Sequence, residues 1–167
     1  MNFPSPTGAA LARNEVFLMY LDYCRDRVIE KVTSLPLDAL IVSVVPTDWT
    51  ALELVKNLTY VEMRWLEWGF EGQGVDEPWG DHLGDRWYVA PEDTLDSLVG
   101  ALRSRGIQSA EIVQRHDLDD LGLPGPRWSG EEPATLERVL FHLVLEYARH
   151  LGHLDIYAEL VEGQIGE

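Results

Sequence analysis

The residues from Glu132 to Glu162 make the longest uninterrupted helical pattern in the chain and carry most of its reactive side chains. Within them His142, Glu146, His150 and His153 follow at spacings of four, four and three. At about 100° of turn per residue, these positions fall within about 80° of one another on one helix face. That face is otherwise apolar, since Val139, Leu143, Tyr157 and Leu160 lie along the same stripe. A titratable seam inside a buried stripe needs partners, because an unsatisfied polar group is costly to bury. A metal, a bound ligand or an internal hydrogen-bond network would each supply them.

Three further helical patterns precede this one. From about Ala9 to Leu35, Leu11, Val16, Met19, Tyr20, Tyr23, Val28 and Val32 mark a broad apolar face, with Arg13, Glu15, Asp22, Arg25 and Lys31 largely outside it. Pro36 ends that helix, and residues 37–46 form an apolar connection that has no second strand to pair with and so reads as an extended loop. Thr50 opens a capping box with Glu53, and Leu52, Val55, Leu58, Val61, Trp65 and Trp68 carry the second helix to about Phe70. Residues 71–90 are rich in Gly, Asp, Pro and Trp, a broken composition and a length typical of lids and pocket walls. A third helix is expected from Pro91 to about His116, with Thr94, Leu98, Leu102, Ile107, Ile112 and Val113 apolar and Gly106 as a weak point. Pro133 suits the first turn of the fourth. Four helices and no confident strand predict an all-α chain, a single four-helix-bundle domain over residues 1–167, with connections long enough for crossovers.

Composition narrows the function classes. A chain of 167 residues with 46% hydrophobic residues can bury one good core. A formal charge of −16 argues against a nucleic-acid partner, whose phosphates call for Lys and Arg. No apolar run spans a bilayer and the N-terminal residues lack a signal-peptide pattern, so no membrane partner and a cytoplasmic location are expected. Cys24 is the single cysteine, which rules out a disulfide within the chain and suits core filling. No phosphate-binding loop, dinucleotide fingerprint or nucleophile elbow is present.

The helix start formed by Trp49, Thr50, Leu52, Leu54, Val55 and Lys56, and the last-helix pattern of Glu146, Arg149, His150, Gly152, His153 and Asp155, resemble the DinB-like superfamily. The likeness is nearest to an actinobacterial branch that includes mycothiol-dependent maleylpyruvate isomerase-like proteins. It implies a four-helix bundle, often dimeric, holding a divalent metal such as zinc or nickel on one helix-two histidine and two helix-four ligands. Those ligands would be Glu146 and His150, while the helix-two position is Asn57, a weak donor beside a neutral imidazole. His153 is the candidate replacement, and it equally suits a hydrogen bond that orients one of the ligands. His142 and His150 lie about 12 Å apart along the helix axis, too far to share an ion.

Two functions follow. One is a metal-dependent thiol S-transferase or isomerase of mycothiol type, acting on a small molecule, with the metal lowering the thiol pKa. The other is a non-catalytic ligand-binding or dimeric structural member with a degenerate metal site, marked by Asn57. A homodimer suits either, because Phe141, Val144, Ala148 and Leu151 make a second apolar face on the last helix. His142 reads best as a satisfied core histidine, and His82 and His116 as loop residues without a specific role. Arg64, Arg86 and Arg127 stand near tryptophans, where they would hold a carboxylate or stack structurally.

Overall fold

A computed structural model describes residues 3–6 and 12–162. Four helices make the body: α1 (Arg13–Ser34), α2 (Ala51–Glu62), α3 (Leu95–Arg115) and α4 (Leu136–Glu162). The expected start of α1 near Ala9 and Leu11 lies outside the described residues. α1 packs against α4 and α3, and α2 against α3 and α4. Helices that follow one another, α1 with α2 and α3 with α4, therefore stand across the bundle, as the long connections permit. Among the described residues no helix is long and apolar enough to cross a membrane.

The boundaries follow from local chemistry. Thr50 Oγ1 accepts from the Glu53 amide at 3.3 Å while Glu53 accepts from the Thr50 amide at 2.8 Å, closing the expected capping box. Thr94 caps α3 in the same way with Ser97, so it is a cap and not an apolar position of a helix starting at Pro91. Pro133 precedes α4, whose first turn is instead tied by Thr135 Oγ1 to the Arg138 amide. The second helical pattern does reach Phe70, but Met63–Phe70 winds as a wider π-helix, with the Glu71 amide reaching back five residues to the Leu66 carbonyl at 2.9 Å. The connection after α1 contains a short 3₁₀ turn, Ala39–Ile41, and the long loop after Phe70 holds a small antiparallel hairpin, β1 (His82–Leu83) and β2 (Arg86–Trp87). The strands escaped sequence reading because two residues per strand are too few for any alternation to show.

The core runs the length of the bundle through Leu21, Val28 and Val32 of α1, Leu54 and Leu58 of α2, Leu102 and Val113 of α3, and Leu140, Leu143 and Leu154 of α4. Cys24 is buried among them, and burial raises its thiol pKa. Ile107 and Leu160, expected on buried stripes, are 64% and 59% exposed. Arg25, expected outside the apolar face, is buried instead. It reaches the wholly buried Glu62 through Nε at 3.1 Å and a terminal nitrogen at 3.0 Å, and the hydroxyls of Ser109 and Tyr147 donate to the same carboxylate. Each helix thus contributes one side chain to a single polar cross-tie. Gly106 belongs to it as well: a Cβ there would stand 2.6 Å from the Arg25 guanidinium carbon. Glycine weakens a helix by about 1 kcal/mol, and here it makes room for the buried arginine.

Candidate functional site

The seam expected on α4 is present. Glu146 Oε2 lies 3.2 Å from His150 Nε2, and its other oxygen lies 3.7 Å from His142 Nε2. Arg149 donates to Glu146 at 2.7 Å. His150 is 4% exposed and its Nδ1 has no hydrogen-bond partner. Burial is the main force on this imidazole, outweighing the attraction of Glu146 and lowering its pKa to about 4, so it is neutral at pH 7. The His142 pKa is also lowered, by burial first, with Arg127 and Arg149 adding to the effect against Glu146.

Aromatic rings wall the seam. Trp87 of β2 stands 5.3 Å from His150, and His153 stands 5.6 Å from it. Trp49, just before α2, stacks on Tyr157 at 5.3 Å and meets both Trp87 and His153. Toward the other end, Trp65 of the π-helical segment lies 4.4 Å from His142. His142 is therefore half-buried against an aromatic ring and a carboxylate, within the seam itself.

Asn57 lies elsewhere in the chemistry. It is buried, and its amide nitrogen donates at 2.9 Å to Asp81, a residue buried completely in the long loop. Arg64 grips the same carboxylate with two bonds of 2.6 and 3.1 Å, and His82 Nδ1 stands 2.8 Å from it. His82 thus has a definite role, contrary to its reading as an idle loop residue. Because His82 pairs with Trp87 across the hairpin, this cluster fixes the hairpin to α2 and so sets Trp87 beside His150. Lys56, bonded to Asp93 at 2.8 Å, ties down the far end of the loop. Asp81 was not singled out in the sequence. The one available signal was an aspartate flanked by Trp79 and Trp87 in a loop long enough to fold back.

These contacts bear on the metal that the resemblance implies. Among the described residues no three or more His, Cys, Asp and Glu side chains are grouped to hold an ion. Glu146 and His150 are a two-donor pair, and His153 lies at ring-contact distance without completing it. Asn57 donates its amide nitrogen to Asp81, whose carboxylate also holds Arg64 and His82, so the donor it has for an ion is its amide oxygen, weak beside an imidazole. Glu146, His150 and His153 do not by themselves make a three-donor set.

A family model described as mycothiol-S-transferase matches residues 16–163. The chain belongs to that family, which is DinB-like. A solved structure of similar fold, a conserved protein from Enterococcus faecalis, aligns with a TM-score of 0.62 at 14% identity, covering 93% of this chain and 100% of that one. The likeness is one of fold alone. Among curated proteins none is significantly similar in sequence.

Proposed function

We propose that this member of the mycothiol-S-transferase family binds a low-molecular-weight thiol along the seam of α4 and transfers it to a small electrophile, with Glu146 and His150 at the reacting centre. The observation that carries the reading is a buried imidazole paired with a partly buried carboxylate beside Trp87, in a chain of this family. A thiol becomes a strong nucleophile on losing its proton. Neutral His150 and Glu146 together accept that proton, the sulfur electron pair forms the new C–S bond, and the leaving group departs with the electrons of the bond that breaks. Arg149, bonded to Glu146, fixes the carboxylate, and Trp49 and Trp87 limit the water that reaches the pair. Conjugation of mycothiol to 1-chloro-2,4-dinitrobenzene tests the reading. Activity that falls about 100-fold in His150→Ala supports it, and no activity with any small thiol would leave a non-catalytic ligand-binding protein.

No step is assigned to zinc or nickel, because Glu146 and His150 are only two donors and the amide oxygen of Asn57 is a weak third. Metal analysis of untagged protein, dialysed against either ion, examines that choice. Substoichiometric metal agrees with it. Near-stoichiometric metal that disappears in His150→Ala would replace the proton transfer above with a metal-dependent route.

We also propose that α4 supports a homodimer: of the expected second face Val144 and Leu151 pack on the core instead, while Phe141, Leu145 and Ile156 are 57%, 53% and 55% exposed. Gel filtration showing only monomer at micromolar concentration would rule this out.

A further inference from the structure

We propose that Arg127 is a built receptor for one carboxylate of a small organic acid, at the end of the seam away from Trp87. Among the described residues every other buried or half-buried arginine is ion-paired: Arg25 with Glu62, Arg27 with Glu30, Arg64 with Asp81 and Arg105 with Glu67. Arg103 and Arg138 are unpaired too, but they are exposed and solvated. Arg127 is half-buried, its Nε is enclosed without an acceptor, and no carboxylate meets it. In a chain with 29 acidic and 13 basic side chains, a half-buried arginine left unpaired is not for want of acids.

The surroundings hold this guanidinium in place. It lies 3.9 Å above the Trp65 ring, a stacking that fixes the guanidinium while its hydrogen-bond donors remain unpaired among the described residues. Gly69 makes the approach possible, since a Cβ there would come within 3.2 Å of Arg127 Cγ. The next residue, Trp128, anchors the turn by donating its indole N–H to the carbonyls of Leu123 at 2.9 Å and Gly69 at 3.2 Å. Trp65 then leads to His142, and His142 to Glu146. A molecule anchored on Arg127 would therefore lie over aromatic rings and extend toward the Glu146–His150 pair.

The charge arithmetic selects the ligand. Arg64, the neighbouring cation, is already neutralised by Asp81, so one positive charge is available. A planar monoanion matches it and the guanidinium fork, whereas a phosphate dianion would add surplus negative charge to an acidic protein. The carboxylate could belong to the thiol or to its acceptor. Calling the neighbouring pair the reacting centre rests on the thiol-transfer proposal, but the binding itself does not.

Calorimetric titration of the full chain separates these possibilities. N-acetylcysteine against its methyl ester probes the thiol, and monomethyl maleate against dimethyl maleate probes the acceptor. At least one acid is expected to bind about tenfold tighter than its ester. Arg127→Gln should abolish that preference without changing ester affinity, and Arg127→Lys, which keeps the charge but loses the fork, should retain part of it. Thermal melting confirms that each variant is folded, with Arg127→Lys carrying the test if Arg127→Gln is not. Equal binding of acid and ester in the wild type, a preference that survives in both variants, or tighter binding of inorganic phosphate would overturn the proposal. Acid preference without any thiol conjugation to 1-chloro-2,4-dinitrobenzene would retain the carboxylate site while removing the transferase function.

Discussion

Glu62 and Glu146 are carboxylates set among the helices of one bundle, and they differ in how fully the groups around them are bonded. Glu62 receives Arg25, Ser109 and Tyr147, so each of its oxygens is used within the core. Burial first, then the charge on Glu62, holds the Tyr147 phenol protonated well above its ordinary range. Around Glu146 the bonding is incomplete: His150 Nδ1 has no partner, and farther along the seam neither does Arg127 Nε. A closed network fixes how helices meet, whereas one with open valences has capacity for something that arrives later. Both regions contain charge, so charge alone does not mark the site.

The sharpest way to break the comparison is at Glu62. Glu62→Ala removes the buried partner of the Arg25 guanidinium, leaves it only the half-exposed Asp22, and should cost about 3 kcal/mol of stability. Urea denaturation measures it, and a loss below about 1 kcal/mol would show that water or Asp22 takes over the role of Glu62. The corresponding change in the seam, His150→Gln, should affect function more than folding. Thiol conjugation is expected to fall about 100-fold while the denaturation midpoint barely moves. If both variants lost stability equally, the seam would be a structural network like the other.

How much of this was legible in the sequence depends on what periodicity can carry. The helices, the capping box at Thr50 and the clustering of His142, Glu146 and His150 follow from 3.6-residue spacing and short-range chemistry, and the structure contains them. Arg25 was placed outside the core because a charged residue scores as polar whatever it meets, and the partner that buries it is 37 positions away. The same blindness hid Asp81, a loop residue whose partners Asn57 and Arg64 lie 24 and 17 positions away. Periodicity also cannot separate a π-helix from an α-helix, so Met63–Phe70 was given the right extent and the wrong winding. Asn57 is the instructive case. Its place in the motif suggests a weakened ligand, and the fold gives its amide nitrogen the further task of holding a hairpin.

Acidity sharpens the same contrast. The folded-state pKa of His150, about 4, lies below the ordinary value of 6.5, so between these values the unfolded chain binds more protons than the folded one. Stability from neutral, buried His150 is therefore complete above about pH 6.5 and is lost as the pH falls toward 4, by about 3 kcal/mol. His150→Gln should flatten stability across this window, as followed by denaturation at successive pH values. An unchanged slope would mean that other groups carry the acid sensitivity.

The smallest effect separates anchor from ligand. Asn57→Ala removes one of several bonds to Asp81 and should cost about 1 kcal/mol, since Arg64 and His82 remain. With the hairpin loosened, solvent should reach His150 more easily, and hydrogen exchange at Trp87 and Tyr88 should quicken. Asn57→His asks the complementary question, because it restores the imidazole that the family pattern implies while removing the amide that Asp81 uses. A gain of about tenfold in zinc or nickel affinity would show that position 57 faces Glu146 and His150 closely enough to complete a metal site. Faster exchange in the hairpin with no gain in metal affinity would make Asn57 an anchor alone. The open valences of the seam would then belong to an organic ligand, with no ion needed to fill them.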